Sequence, residues 1–305
     1  MMARSEAVAD DWIAVDWGTS SLRVWRMRGA DAQEARRSAA GMGTLGRDGF
    51  EPALLELIAD WVTGAPIPVL ACGMVGAKQG WSEAGYRAVP CNPLGAPFHT
   101  VQANYPGLAV QIIPGLSQSD PADVMRGEET QIGGCLALDP GFSGTIGLPG
   151  THMKWAQVSN GVVTGFTTTL TGELFALLSQ GSVLRHGLGQ GWDDAAFADG
   201  VLAMQAAPAG FATALFGIRA RGLLGQESPD AARARLSGLV IGLELAATAA
   251  IWVDQPVTLI GEGRLADLYA QALALHGIQA AKMDNEATTL AGLIHARALL
   301  QEMQP

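Results

Sequence analysis

Two periods of apolar patterning alternate along this chain, and the switches between them mark its elements. Trp12-Ile13-Ala14-Val15 is a short β-rich run that ends at Asp16, and Gly18-Thr19-Ser20-Ser21 is a turn of small residues. Leu22-Arg23-Val24-Trp25-Arg26-Met27 then alternates apolar with basic, the pattern of a strand with one solvated face. The pair predicts a β-hairpin, with Arg23 and Arg26 on its wet side. Residues 52–62 change to helical spacing, with Leu54, Leu55, Leu57, Ile58, Trp61 and Val62 as an apolar stripe. A strand over 67–72 runs into Gly73-Met74-Val75-Gly76. Residues 80–106, rich in Gly, Pro, Asn and aromatics, read as a long ordered loop of the kind that carries function.

After a strand over 109–113, Asp120-Pro121 has the form of a helix N-cap with proline at the first helical position. It predicts a helix carrying Asp123, Arg126, Glu128 and Glu129. Asp139-Pro140-Gly141 punctuates the chain and is the candidate domain boundary. Beyond it, a Gly-rich strand over 144–148 leads into Pro149-Gly150-Thr151-His152. Strands over 154–158 and 162–168 flank Asn160-Gly161, a strong hairpin signal. Residues 171–252 are almost all helical. The chain closes with a strand over 257–260, Gly261-Glu262-Gly263, a helix, a strand over 278–282 and a last helix. Each half opens with a Gly/Thr turn beside a hairpin and passes into helices. This predicts two α/β domains with mixed sheets, 1–140 and 141–305, the last helix being free to pack back onto the first.

Composition narrows the function classes. At 305 residues the chain is about twice the usual domain size, and 49% hydrophobic against 16% charged residues is a globular balance. A net charge of −10 with no Lys/Arg cluster argues against nucleic acid as a partner. Cys72, Cys91 and Cys135 are odd in number and lack zinc-site spacing, which fits reduced thiols in a cytoplasmic protein. The first eleven residues carry Glu6, Asp10 and Asp11 and have no apolar core, unlike a secretory leader. Residues 236–253 approach the length of a membrane span. Glu244 at their centre, with Gly238 and Gly242, points instead to a buried core helix in a protein without a membrane partner. Neither GxxxxGK[ST] nor a strand-linked GxGxxG occurs. Homo-oligomerisation stays open.

Three turns could carry phosphate chemistry. Asp16 at a strand end can hold Mg²⁺, while the N–H groups and hydroxyls of Gly18, Thr19 and Ser20 can cup phosphate oxygens. Gly150-Thr151 forms a second turn at a strand end. Gly261-Glu262-Gly263 lies between a strand and a helix, where backbone can approach a flat base and the helix start favours an anion. Each alone reads as ordinary chain reversal. Their order resembles the phosphate-1, phosphate-2 and adenosine motifs of the actin/hexokinase/Hsp70 ATPase superfold. That resemblance implies an α/β, two-domain actin-like (ribonuclease H-like) fold, with mixed sheets, flanking helices and ATP in an interdomain cleft.

The fuller set of motifs is sharper. Residues 13–20, Gly73-Met74-Val75-Gly76, Gln79-Gly80-Trp81, Arg126-Gly127-Glu128-Glu129-Thr130-Gln131, Pro149-Gly150-Thr151-His152-Met153-Lys154-Trp155 and Thr171-Gly172-Glu173-Leu174-Phe175 together resemble the 2-dehydro-3-deoxygalactonokinase family. The family implies phosphorylation of 2-dehydro-3-deoxy-D-galactonate at its 6-hydroxyl, with ATP and Mg²⁺, in galactonate breakdown. Related sugar kinases place a catalytic carboxylate in a Gly-Asp step ahead of their second phosphate turn. Glu128 occupies that step and Glu129 is its rival, since helix neighbours point about 100° apart. A keto-acid substrate calls for a cation, from among Lys78, Arg87, Arg126 and Lys154. Lys78 stands where arginine is expected in the family. Gln79, Trp17, Trp81 and Trp155 could border the sugar, although core packing is the commoner role of a tryptophan. His152 reads as a hydrogen-bonding residue of its turn, and Lys282 as a solvated helix cap. Competing readings are a kinase for another sugar or sugar acid, a non-catalytic ATP- or sugar-sensing regulator, and a phosphatase of the same fold.

Overall fold

The computed structural model describes residues 11–302; Glu6 and Asp10 of the acidic N-terminus lie outside them. The chain divides into two compact units. One holds the chain up to Phe142, the hairpin tip Gly161–Val163 and the segment from Asn285 onward, and the other holds the rest.

The first unit contains β1 (Asp11–Trp17), β2 (Leu22–Arg28), β3 (Asp31–Ser38), α1 (Phe50–Ile58), β4 (Ile67–Gly73), β5 (Tyr86–Ala88), β6 (His99–Val101), β7 (Leu108–Ile112), β8 (Gly115–Ser119), β9 (Ala122–Met125) and α2 (Glu128–Leu138). Its main sheet runs β3-β2-β1-β4-β7-β6. β2 pairs antiparallel with both β1 and β3, whereas β4 and β7 add in parallel. Ile13, Val15 and Trp17 pack with Phe50, Leu54 and Ile58 of α1. Trp12 and Ala14 face the other side. With both faces covered, β1 reads as an unbroken apolar run. Strand β3 is the opposite case. Its sequence DAQEARRS is mostly exposed, so no apolar period announces it, and its charges suit an unpaired sheet edge.

The second unit contains β10 (Gly144–Leu148), β11 (Met153–Ser159), β12 (Val162–Thr169), α3 (Thr171–Ala176), α4 (Asp194–Ala206), α5 (Phe211–Leu223), α6 (Pro229–Trp252), β13 (Val257–Ile260), α7 (Gly263–Leu275) and β14 (Ala281–Met283). Its sheet order, β12-β11-β10-β13-β14, repeats the β3-β2-β1-β4-β7 order of the first unit's main sheet. Again β10 pairs antiparallel with β11, and β13 and β14 add in parallel. The rhyme between the halves is therefore a repeated topology. Helix α6 is long and apolar enough to cross a membrane by length and composition, but it packs in the core, capped at its start by Ser228 and carrying the buried Glu244. The last helix, α8 (Asn285–Glu302), packs with α2 and lays Leu293, Ala296 and Leu300 on the Trp12 face of the first sheet. It belongs to the first unit, so a second domain running to residue 305 is corrected.

Asp120-Pro121 is a second correction. These residues form the turn of a β8–β9 hairpin, in the register Ser119↔Ala122. Helix α2 begins only at Glu128, after Gly127. Only Gly115, Leu116 and Met125 are buried in this hairpin, Leu116 facing Met125, and β8 is completed by pairing with β5. Backbone pairing decides a segment with so few apolar residues. Asp123 thus lies on a strand.

Candidate functional site

In the first unit the ends of β1 and β4 meet the start of α2. Asp16 lies opposite Arg23 on β2 and beside Cys72 on β4. Arg23 donates to Asp16 Oδ2 from Nε at 3.0 Å and from Nη2 at 2.5 Å. The expectation of a solvated Arg23 is corrected. Its side chain is only 18% exposed because it neutralises a carboxylate that is 17% exposed. The Cys72 thiol lies 3.7 Å from Asp16 Oδ1. Burial, then the charges of Asp16 and Glu129, keeps it protonated far above its ordinary pKa. Gly73 has φ +87°, and a Cβ there would stand 2.6 Å from the Trp17 carbonyl. At Gly127, with φ +102°, a Cβ would stand 3.3 Å from the Gly73 Cα. These two glycines let α2 start directly against the end of β4.

The two glutamates at that start differ. Glu129 is wholly buried; it accepts from Gly127 N at 2.7 Å and from Thr130 Oγ1 at 3.1 Å. Burial, then the neighbouring charge of Glu128, raises its pKa to about 8. Glu128 is half-buried and accepts from Arg126 N at 3.0 Å. The Gly18–Ser21 turn is braced from below: Met42 N donates to Gly18 O and Gly43 N to Thr19 O. Thr19 and Ser20 stay exposed. Trp17 is fully buried on Phe50 and donates to Ala40 O, so it is a core residue and does not border a sugar. Trp81 packs half-buried on the same core.

Arg126 follows β9. Its guanidinium lies 4.4 Å above the Tyr86 ring and donates from Nη2 to Gly85 O at 2.7 Å, while Nε and Nη1 are buried without a partner among the described residues. Lys78 and Gln79 are exposed on the loop after Gly76, at which a Cβ would meet Arg126 Nη1 at 2.8 Å.

In the second unit, the Pro149–His152 turn is backed by the start of α3. Glu173 N donates to Thr151 O at 3.0 Å, and a Cβ on Gly172 would lie 2.5 Å from Gly150 O. His152 Nε2 bonds Glu173 Oε2 at 2.7 Å, which ties turn to helix. Gly261 lies close to Pro149 and donates to Met283 O. Glu262 and Gly263 lead exposed into α7. Gly172 also lines a cavity of about 340 Å³, within the size range of small-ligand pockets. Arg264, the residue after Gly263, stacks 4.0 Å above Trp192 on its wall, and Arg233 lies 5.4 Å from Phe175. The pattern-based reading missed this cavity, although an arginine directly after a GxG turn was a signal for it. Lys154 is 5% exposed on β11. Trp155 is fully buried with its Nε1 donating to Glu244, so it is no sugar wall. Lys282 is exposed as expected, but it pairs with Asp267 at 2.7 Å on α7.

A repeated mixed sheet with a glycine turn after its first strand defines the actin-like ATPase fold of sugar kinases. A xylulose kinase from Lactobacillus acidophilus shares it, with a TM-score of 0.50 at 13% identity, covering 97% of this chain and 90% of that one. The particular family follows from sequence: residues 16–296 match the 2-keto-3-deoxy-galactonokinase family, and the chain belongs to it. A Rhizobium meliloti (strain 1021) relative, assigned as a 2-dehydro-3-deoxygalactonokinase, is 39% identical over 92% of this chain and 95% of its own. The 2-dehydro-3-deoxygalactonokinase of Escherichia coli (strain K12) is 35% identical over 92% and 96%. A crystal structure from Sinorhizobium meliloti with the same assignment superposes with a TM-score of 0.89 at 37% identity, covering 95% of this chain and 99% of that one.

Proposed function

We propose that this chain transfers the γ-phosphoryl group of ATP to the 6-hydroxyl of 2-dehydro-3-deoxy-D-galactonate, with Arg126 receiving the substrate carboxylate and Glu128 acting as general base. Family membership supports the reaction class. The observation that carries the substrate assignment is the guanidinium of Arg126, whose buried Nε and Nη1 lack a partner among the described residues. Leaving such donors unpaired is costly, and a carboxylate oxygen is a strong, charge-assisted acceptor for a guanidinium N–H.

In the transfer, O6 forms its bond to the γ-phosphorus as the bond to the β,γ-bridging oxygen breaks, and ADP leaves with that electron pair. The O6 proton passes to Glu128, half-buried and oriented by the Arg126 N–H. Glu129 suits the role less, because it is wholly enclosed and keeps its proton up to about pH 8. Its two hydrogen bonds serve to fix the start of α2. Asp16 is the residue that would hold Mg²⁺: Oδ2 is engaged by Arg23, but Oδ1 meets only the Cys72 thiol among the described residues. No group of three His, Cys, Asp or Glu among the described residues could hold a metal ion. That suits magnesium, which takes one or two carboxylates and completes its shell with water and phosphate oxygens. When bound it neutralises charge on the transferring phosphate. The exposed hydroxyls of Thr19 and Ser20 and the Gly150-Thr151 turn offer phosphate contacts, and the cavity beside Gly172 takes the nucleoside.

An ADP-release assay across the sugar acid and neutral hexoses tests this reading. The acid should exceed glucose and galactose by at least roughly 100-fold in kcat/KM, because a hexose leaves Arg126 unpaired. Arg126→Lys should raise KM for the acid roughly tenfold or more and leave KM for ATP unchanged. Comparable efficiency on a neutral hexose sinks the proposal.

A further inference from the structure

Glu244 sits inside α6, 4% exposed, in the core of the second unit. A buried carboxylate is disfavoured unless its oxygens are well bonded, and an apolar residue would pack a core helix at least as well. Here four donors from four separate elements converge on it. Trp155 Nε1 of β11 donates to Oε1 at 2.7 Å. Oε2 accepts from Thr169 at the end of β12 at 2.8 Å, from Tyr269 of α7 at 2.7 Å, and from Thr171 at the start of α3. Thr248, one turn on, donates to the Glu244 backbone carbonyl at 2.9 Å. Burial pushes the carboxyl pKa up, and the four donors oppose that shift by favouring the charged form.

Two of the four donors, Thr171 and Tyr269, line the cavity. Gly172 follows Thr171, lines the same cavity and backs onto Gly150 and Thr151. Tyr269 lies on the helix that Gly263 and Arg264 begin. One carboxylate thus fixes the wall of the cavity, the helix start that braces the Pro149–His152 turn, and the helix that follows the Gly261–Gly263 turn.

We propose that Glu244 is a positioning residue for the nucleotide, holding the nucleoside wall and the phosphate turn of the second unit in one fixed arrangement. The proposal rests on reading that cavity as the nucleoside site. Glu244 touches no reacting atom and acts through Thr171 and Tyr269. Its loss should therefore weaken nucleotide binding selectively, where a merely structural role would lower stability and affect both substrates alike.

The test is Glu244→Gln, which replaces one acceptor oxygen with an NH₂ group facing donors. ATP affinity by calorimetry, KM for each substrate and Tm are measured together. Kd and KM for ATP should rise roughly tenfold, with KM for the sugar acid within about twofold of wild type. Thr171→Val should give the same ATP-selective loss, and the double variant should be no weaker than the weaker single one, because both cut one linkage. Unchanged ATP affinity in folded Glu244→Gln, or fully additive losses in the double variant, overturns the proposal. If Glu244→Gln does not fold, Thr171→Val and Tyr269→Phe carry the test, and wild-type ATP affinity in both overturns it. Ser237→Phe, which fills the cavity, separates the two readings. ATP affinity untouched by that filling refutes the nucleoside site itself. Loss of ATP binding in Ser237→Phe with none in Glu244→Gln refutes only the positioning role.

Discussion

At the end of β1 the chain places Asp16, clamped by Arg23, and the start of α2, with Glu128 and Glu129, packs against the neighbouring end of β4. At the end of β10, the equivalent point of the same strand order, it places Leu148 and Pro149 and no ionisable group before His152. The helix start beside that turn carries Thr171, Gly172 and Glu173, and Glu173 is already paired with His152. One topology therefore supports two chemistries. Both turns present backbone at a sheet edge next to a helix start, but only the first adds carboxylates that can hold a cation or take a proton. Fold supplies the place and side chains decide its use.

Replacing the carboxylate of the first unit should have the largest effect. Asp16→Asn should keep the fold and lower turnover by roughly 10²–10³-fold at saturating MgATP, since the metal loses its protein ligand and Arg23 its partner. Wild-type turnover would show that the asymmetry between the two turns is not catalytic. Next comes the pair at the start of α2. Glu128→Gln should lower kcat by about 100-fold while ATP affinity holds, and Glu129→Gln should change kcat at pH 7 less than about threefold. Reversed effects would make the buried glutamate the base. In the second unit, Gly172→Ala puts a Cβ 2.5 Å from Gly150 O, so the turn must shift. KM for ATP should rise about tenfold with KM for the sugar acid unchanged, and steady-state kinetics with each substrate varied would expose any mixed effect.

The smallest predicted effect is on stability against pH. Glu129 has a folded pKa of about 8 against an ordinary 4.5, so the native state binds the extra proton between those values. Its contribution is fully present below pH 4.5, declines as pH rises through that window and is lost above about 8. Glu129→Gln lacks this decline. The Tm of the variant relative to wild type should climb from pH 5 to pH 8, the underlying unfolding free-energy difference changing by at most about 1.4 kcal/mol per pH unit. A flat difference in thermal melts would mean that Glu129 is ionised in the native protein.

How much of this was legible in the chain depends on the range of the interactions involved. Strands β1, β2, β4, β10, β11 and β13 and the Asn160-Gly161 hairpin follow from local apolar period and turn residues, as do the turns bearing Asp16, Gly150 and Gly261. These are properties of a few consecutive residues, and the repeated order of such turns was enough to point to the fold. Strand β3 and the β8–β9 hairpin were not legible, because each owes its form to a neighbouring strand more than to its own apolar content. The same limit applies to the chemistry. Sequence alone placed Glu128 in the catalytic step with Glu129 as its close rival; their surroundings in the fold bury Glu129 with its proton and leave Glu128 half-open. Trp17 and Trp155 sit in functional motifs yet point into cores, and Arg23, on a strand read as wet, closes on Asp16. The cavity between α3, α6 and α7, with Glu244 behind it, draws on residues nearly a hundred positions apart. Local patterning specifies which elements form and where their turns fall, whereas burial, pairing and proton affinity depend on what packs against each group, and only the tertiary structure decides that.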